Sequence, residues 1–146
     1  MRGIVVGVDG SEGAKRALAW AADEARLRGA PLKVVLAWHW PAAALAGAAW
    51  SGVDSQLTDE FRKSARKRLD DLCAELAPRL EGVAVERTVV EGPAAACLIA
   101  AAAEADLLVV GTRGHGGFTD LLLGSVSQQC AHHSPCPIVI VPPPRA

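Results

Sequence analysis

An open α/β fold built on a five-stranded parallel sheet is what this sequence predicts, and three observations carry the prediction. Five short apolar runs alternate with helix-period segments along 146 residues. The runs lack the regular polar alternation of half-exposed strands, as parallel strands covered on both faces do. The segments between them are long enough for crossover helices, and right-handed crossovers give a three-layer, doubly wound sheet of the Rossmann-like kind. The length suits a single compact domain, 1–146.

The elements follow in order. Gly3–Val8 is the first strand, and Asp9-Gly10-Ser11 forms its exit. Glu12–Arg28 is a helix with an apolar stripe of Ala14, Leu18, Ala21, Ala22 and Ala25. Ser11 suits its N-cap, and Gly29-Ala30-Pro31 stops it. Leu32–Ala37 is the second strand, followed by Trp38-His39-Trp40-Pro41 and an Ala/Gly-rich stretch to about Ser55. The next helix, capped by Asp54 or Thr58, runs to about Ala77 and ends before Pro78. Val83–Val89 is the third strand. Glu91-Gly92-Pro93 opens a helix through Ala103, with proline where its missing N–H costs little. Asp106–Val110 is the fourth strand, and a glycine-rich loop and a short helix near Leu121–Ala131 follow it. Cys136–Val141 is the last strand, which Pro142-Pro143-Pro144 prevents from extending.

Composition narrows the function classes. The formal charge is −1, and no basic tract is long enough to follow a nucleic-acid backbone. The cluster Arg62-Lys63-Ser64-Ala65-Arg66-Lys67-Arg68, flanked by Asp59-Glu60 and Asp70-Asp71, reads as a solvated helix face. No apolar segment has the length of a membrane span, and the amino end lacks the pattern of a secretion signal. Cys73, Cys97, Cys130 and Cys136 are widely spaced with no C-x-x-C pair, so reduced thiols in a cytoplasmic setting are the expectation.

The chemistry concentrates in Gly111-Thr112-Arg113-Gly114-His115-Gly116-Gly117, directly after the fourth strand, and in Gly124-Ser125-Val126-Ser127. Glycine leaves backbone N–H groups uncovered, and these with nearby hydroxyls make a donor surface suited to phosphate oxygens. A merely flexible turn is the plainer reading, set against the entropic cost of four glycines in seven residues. Two familiar phosphate sites are excluded. The first strand exit, Gly7-Val8-Asp9-Gly10-Ser11-Glu12-Gly13, is not G-x-G-x-x-G, and no acidic residue ends the second strand. Lys15, Lys33, Lys63 and Lys67 all lie away from the glycine clusters, so the P-loop lysine is missing. Asp9, at the end of the first strand, holds Mg²⁺, receives a nucleotide hydroxyl, or turns back to the first helix; the residues leave these three readings open.

Gly111-x-x-Gly114, nine residues, then Gly124-Ser125, together with Val6-Gly7-Val8-Asp9-Gly10-Ser11, resembles the universal stress protein family in its ATP-binding form. Leu121-Leu122-Leu123-Gly124-Ser125-Val126-Ser127 and His132-His133-Ser134-Pro135-Cys136-Pro137 extend the likeness over nearly the whole chain. The resemblance implies strand order 3-2-1-4-5, with ATP between the ends of strands one and four and Asp9 near its ribose or adenine side, while Mg²⁺ at Asp9 remains the reading from the carboxylate's charge. It implies contacts from Gly7, Val8, Asp9 and Ser11 at the first strand, and from Ala37 and Trp38 beside adenine. It implies Gly111, Arg113, Gly114, His115, Gly116 and Gly117 around ribose and phosphates, joined by Gly124, Ser125, Val126 and Ser127. Asp120 departs from the small residue that many relatives carry there. The implied function is that of an ATP-binding homodimeric stress-response regulator, with hydrolysis slow or absent. Metal-assisted nucleotide hydrolysis or transfer, and a protein-interaction module without nucleotide, stand as the alternatives.

Catalysis finds little support in the residues. His115 has no carboxylate at a suggestive spacing to orient it, which leaves weak ATPase activity, phosphate contact and no ligand role side by side. His132-His133-x-x-Cys136 lacks a fourth zinc ligand, and burial in the fold is the favoured reading. The segment carrying Trp38, Trp40 and Trp50 reads as a lid over local core, with an adenine-side wall or a partner surface as alternatives. Cys136–Val141 reads as an apolar edge strand, which pairing with a second copy would cover.

Overall fold

Ser11 and Gly29 set the bounds of the first helix. The Ser11 hydroxyl accepts the Ala14 N–H at 3.2 Å and opens α1, Glu12–Arg28. Gly29 stands at φ 65°, where a side chain would be strained. The Gly29 N–H then reaches the Arg26 carbonyl at 3.3 Å and the Ala30 N–H reaches that of Ala25 at 2.9 Å, closing a Schellman motif. The computed structural model describes residues 2–39, 55–112 and 123–144. Readings on Trp40, Pro41, Trp50, Asp54, Arg113, Gly114, His115, Gly116, Gly117 and Asp120 lie outside the described residues.

The strands are β1 (Ile4–Val8), β2 (Leu32–Trp38), β3 (Val85–Glu91), β4 (Leu107–Gly111) and β5 (Ile138–Val141). All pair in parallel, in the order β3-β2-β1-β4-β5. Ile4 lies between Leu32 and Leu107, and Leu108 pairs with Ile138. The order is the one the resemblance implies.

Alternate strand residues face opposite sides, so two cores flank one sheet. Ile4, Val6, Val34, Leu36 and Val109 pack against α1 and α2 (Ser55–Glu75), where Leu18, Leu69 and Cys73 are fully buried. Val5, Val35, Leu108 and Val110 pack against α4 (Ala94–Ala101), which continues as a 3₁₀ turn Ala102–Glu104, and against α5 (Ser125–His133). Each fully buried leucine contributes roughly 1.5–3 kcal/mol relative to exposure. The basic cluster of α2 is solvated: Arg62, Lys67 and Arg66 pair with Asp59, Asp71 and Asp70, while Ala65 and Leu69 face the sheet.

Several boundaries differ from the sequence reading. Trp38 belongs to β2, because β3 runs on to Glu91 and pairs with it. α2 ends at Glu75, ahead of Pro78 as expected, but Pro78 itself then occupies the first turn of a short α3, Ala77–Leu80, where proline is tolerated. β5 starts at Ile138 because the Ser134 hydroxyl donates to the Cys136 carbonyl at 2.8 Å and holds that residue in a turn. His132 and His133 are exposed, not buried as expected; they occupy the last turn of α5, whose polar carbonyl end faces water.

Candidate functional site

The strand order reverses between β1 and β4, so a crevice is expected where their carboxyl ends part. Three exits build its rim.

At the β1 exit, Asp9 Oδ1 accepts the Ser11 N–H at 3.0 Å, and Ser11 in turn caps α1. Both residues therefore carry the turn. Val8 is buried beneath it. Gly7 serves packing: a Cβ there would lie 2.5 Å from Leu98 Cδ1 of α4.

At the β4 exit, Gly111 lies against α1. A Cβ on it would stand 3.0 Å from the Gly13 carbonyl oxygen, so two glycines let the strand end and the helix start meet. Thr112 follows, largely buried, and its carbonyl accepts the Gly124 N–H at 2.6 Å and the Ser127 hydroxyl at 2.8 Å. The start of α5 is thereby tied to the end of β4. Gly124 is the N-cap of α5, at φ −80° and ψ 175°, and brings no side-chain hydrogen bond to the first turn. Ser125 is exposed at the helix start, Val126 packs against the second core, and Ser127 is 2% exposed. The amide end of a nine-residue helix, uncapped by a side chain, favours an anion.

At the β2 exit, Trp38 is 6% exposed and stacks on Phe61 of α2, with centroids 6.4 Å apart and planes at 9°. Its carbonyl accepts the Gly92 N–H at 2.7 Å. Ala37 lies on the opposite face of β2 and is partly exposed.

Nucleophile chemistry gains nothing from the thiols. Burial pushes Cys73, Cys97 and Cys130 above the usual cysteine range, the reverse of an activated thiolate. Lys15 is committed to Glu12 and Glu75, each at 3.1 Å, and bridges α1 to α2 instead of reaching the crevice. Among the described residues no group of three or more His, Cys, Asp or Glu could hold a metal ion. Mg²⁺ needs no such cage, since one carboxylate and the phosphates of a ligand suffice for it.

Sequence reasoning missed four residues that shape this end of the sheet. Thr112 is the shared acceptor, Phe61 fixes Trp38, Leu98 fills the space Gly7 leaves, and Gly13 receives Gly111. Only Gly13 carried a signal, as a glycine inside a helical first turn where an ordinary residue would serve better.

Residues 1–142 match the profile of the Universal stress protein family. A universal stress protein of Mycobacterium tuberculosis is 34% identical over 137 residues, which cover 94% of this chain and 44% of that protein. The chain thus spans less than half the length of that relative. A Thermus aquaticus universal stress protein is 36% identical over 139 residues, covering 94% of this chain and 96% of the relative. The crystal structure of a universal stress protein in complex with cAMP superposes with a TM-score of 0.60 at 30% identity, covering 94% of each chain. Among the described residues no helix is long and apolar enough to cross a membrane.

Proposed function

The chain belongs to the universal stress protein family, and on that premise we propose that it binds ATP with Mg²⁺ at the carboxyl ends of β1 and β4. It acts as a homodimeric regulatory protein whose hydrolysis is slow or absent. The observation that supports this reading is the tie from the Thr112 carbonyl to Gly124, which brings the amide end of α5 to the strand-order reversal.

The donor chemistry fits an anionic ligand. The first-turn amides of α5 and the exposed Ser125 hydroxyl present hydrogen-bond donors, each charge interaction with the helix end contributing roughly 0.3–1 kcal/mol. The proposal extends to the glycine-rich stretch that follows Thr112: Gly114, Gly116 and Gly117 carry no side chain over their main-chain N–H groups, and Arg113 and His115 are their neighbours in sequence. Asp9 approaches from β1, where Mg²⁺ would offset its repulsion of phosphate and supply charge neutralisation. Ala37 lies beside the base. Lys15 is held by Glu12 and Glu75, so it does not serve as a phosphate-binding ammonium, and regulation rather than turnover is the function proposed. The apolar edge strand β5 gives a second copy a surface to pair with.

The relative crystallised with cAMP favours a second reading, in which a cyclic monophosphate is the physiological ligand. Calorimetric titration with ATP, with and without Mg²⁺, and with cAMP tests both. Saturable ATP binding supports the proposal. Tighter cAMP binding moves the site to the second reading. Neither ligand binding at millimolar concentration overturns both. Light scattering reads the assembly, for which the mass of two chains is expected and that of one contradicts the homodimer.

A further inference from the structure

Two hydroxyls stand near the amide end of α5, and the structure separates them. Ser125 is exposed, whereas Ser127, two residues later and about 200° around the helix, is 2% exposed and points back into the protein. The Ser127 oxygen lies 2.8 Å from the Thr112 carbonyl and 3.0 Å from the Gly124 carbonyl. A serine carries one hydroxyl proton, and both neighbours are acceptors. That proton is committed to main chain, and an ionised phosphate oxygen, itself an acceptor, has nothing to receive from Ser127.

We infer that Ser127 is a positioning residue of the site: its hydroxyl and the Gly124 amide together occupy the Thr112 carbonyl and fix the first turn of α5 to the end of β4. The buried carbonyl has two lone pairs, and both find donors. Cys130, fully buried one turn further on, anchors the helix body in the second core, so the Thr112 junction governs the direction of the first turn. What that turn is aimed at rests on the nucleotide reading above; the junction itself does not.

Amide hydrogen exchange read by NMR on the ligand-free protein tests the assignment. In Ser127→Ala the Gly124 amide is expected to exchange about tenfold faster, while the Cys130 amide keeps its rate. Ser127→Thr, which retains the hydroxyl, restores protection. ATP affinity falls in Ser127→Ala in step with that lost protection. Unchanged Gly124 exchange with weakened ATP binding would make Ser127 a direct phosphate contact and overturn the inference. Should Ser127→Ala fail to fold, the carbonyl carbon shift of Thr112 in the natural protein decides. No movement on ATP addition supports a hydroxyl that stays on Thr112, and a shift marking release of that bond contradicts it. A protein that binds no ATP at all sinks the nucleotide reading, yet the ligand-free exchange rates still decide the junction.

Discussion

The two ends of this sheet are built from opposite materials. At the amino ends of the strands, Gly3 and Asp106 exchange two hydrogen bonds: the Gly3 N–H donates to Asp106 Oδ2 at 2.9 Å, and the Asp106 N–H to the Gly3 carbonyl at 2.8 Å. The Ile4 N–H closes onto the Pro31 carbonyl at 2.9 Å. A cavity of about 220 Å³ opens there, lined by Ile4, Leu32, Lys33, Glu86 and Glu104 among others. Its rim pair, Arg2 and Glu104, lies 3.9 Å apart with side chains 68% and 88% exposed, so it contributes little. At the carboxyl ends the main chain is brought close by glycines and a helix presents its amide end. What distinguishes the carboxyl edge is its set of uncovered main-chain donors. For an anionic ligand the donors decide, because desolvating phosphate costs more than any unfilled volume returns.

Substitutions can break this contrast, beginning with the largest effect. Gly111→Val places side-chain atoms against the Gly13 backbone, which cannot yield without moving α1. A loss of about 3 kcal/mol in chemical denaturation is expected. Gly7→Ala meets side chain instead of main chain, Leu98 Cδ1 at 2.5 Å, Cδ2 at 2.8 Å and Cγ at 3.2 Å, and should cost about 2 kcal/mol as that buried leucine repacks. Equal losses at the two positions would remove the distinction between backbone and side-chain contact.

Ser125→Ala ranks next and sharpens the carboxyl side. Its hydroxyl is exposed, so the melting temperature should hold while ATP affinity falls about tenfold. A drop in melting temperature with intact affinity would place Ser125 in the fold instead of the site.

The smallest effect belongs to the amino edge. The Gly3 amide holds the Asp106 carboxyl below the ordinary aspartate range. A depressed folded pKa contributes stability above the unfolded value and loses it as pH falls through the folded one. Natural protein should therefore lose more stability than Asp106→Asn as the solution is acidified below the ordinary aspartate range, with ATP affinity equal at neutral pH. Parallel acid profiles would show that the carboxylate charge carries nothing.

Much of the fold was legible because local signals agreed with tertiary demands. Ser11 and Gly29 gave α1 to the residue, and apolar runs placed β1, β4 and β5, while β2 and β3 were found despite Lys33 and the Glu86-Arg87-Thr88 stretch. β3 shifted two residues towards the carboxyl end, since its ends are set by pairing with Leu32–Trp38, which its own pattern does not encode. The site was legible as a region more than residue by residue. Ser125 and Ser127 look alike in sequence, and only the junction of α5 with Thr112 decides which one faces inward. Trp38 read as a base-side wall, yet an indole that finds Phe61 parallel to it is better buried than wet. Gly111 read as a ligand-facing glycine, and its close approach is to Gly13.

Mapping amide shifts during an ATP titration tests the central claim most directly. Shifts are expected at Asp9, Ser11, Gly111 and Ser125, with Arg2, Gly3, Lys33 and Glu104 unmoved. Shifts gathered around the amino-end cavity, with the carboxyl ends of β1 and β4 silent, would contradict it.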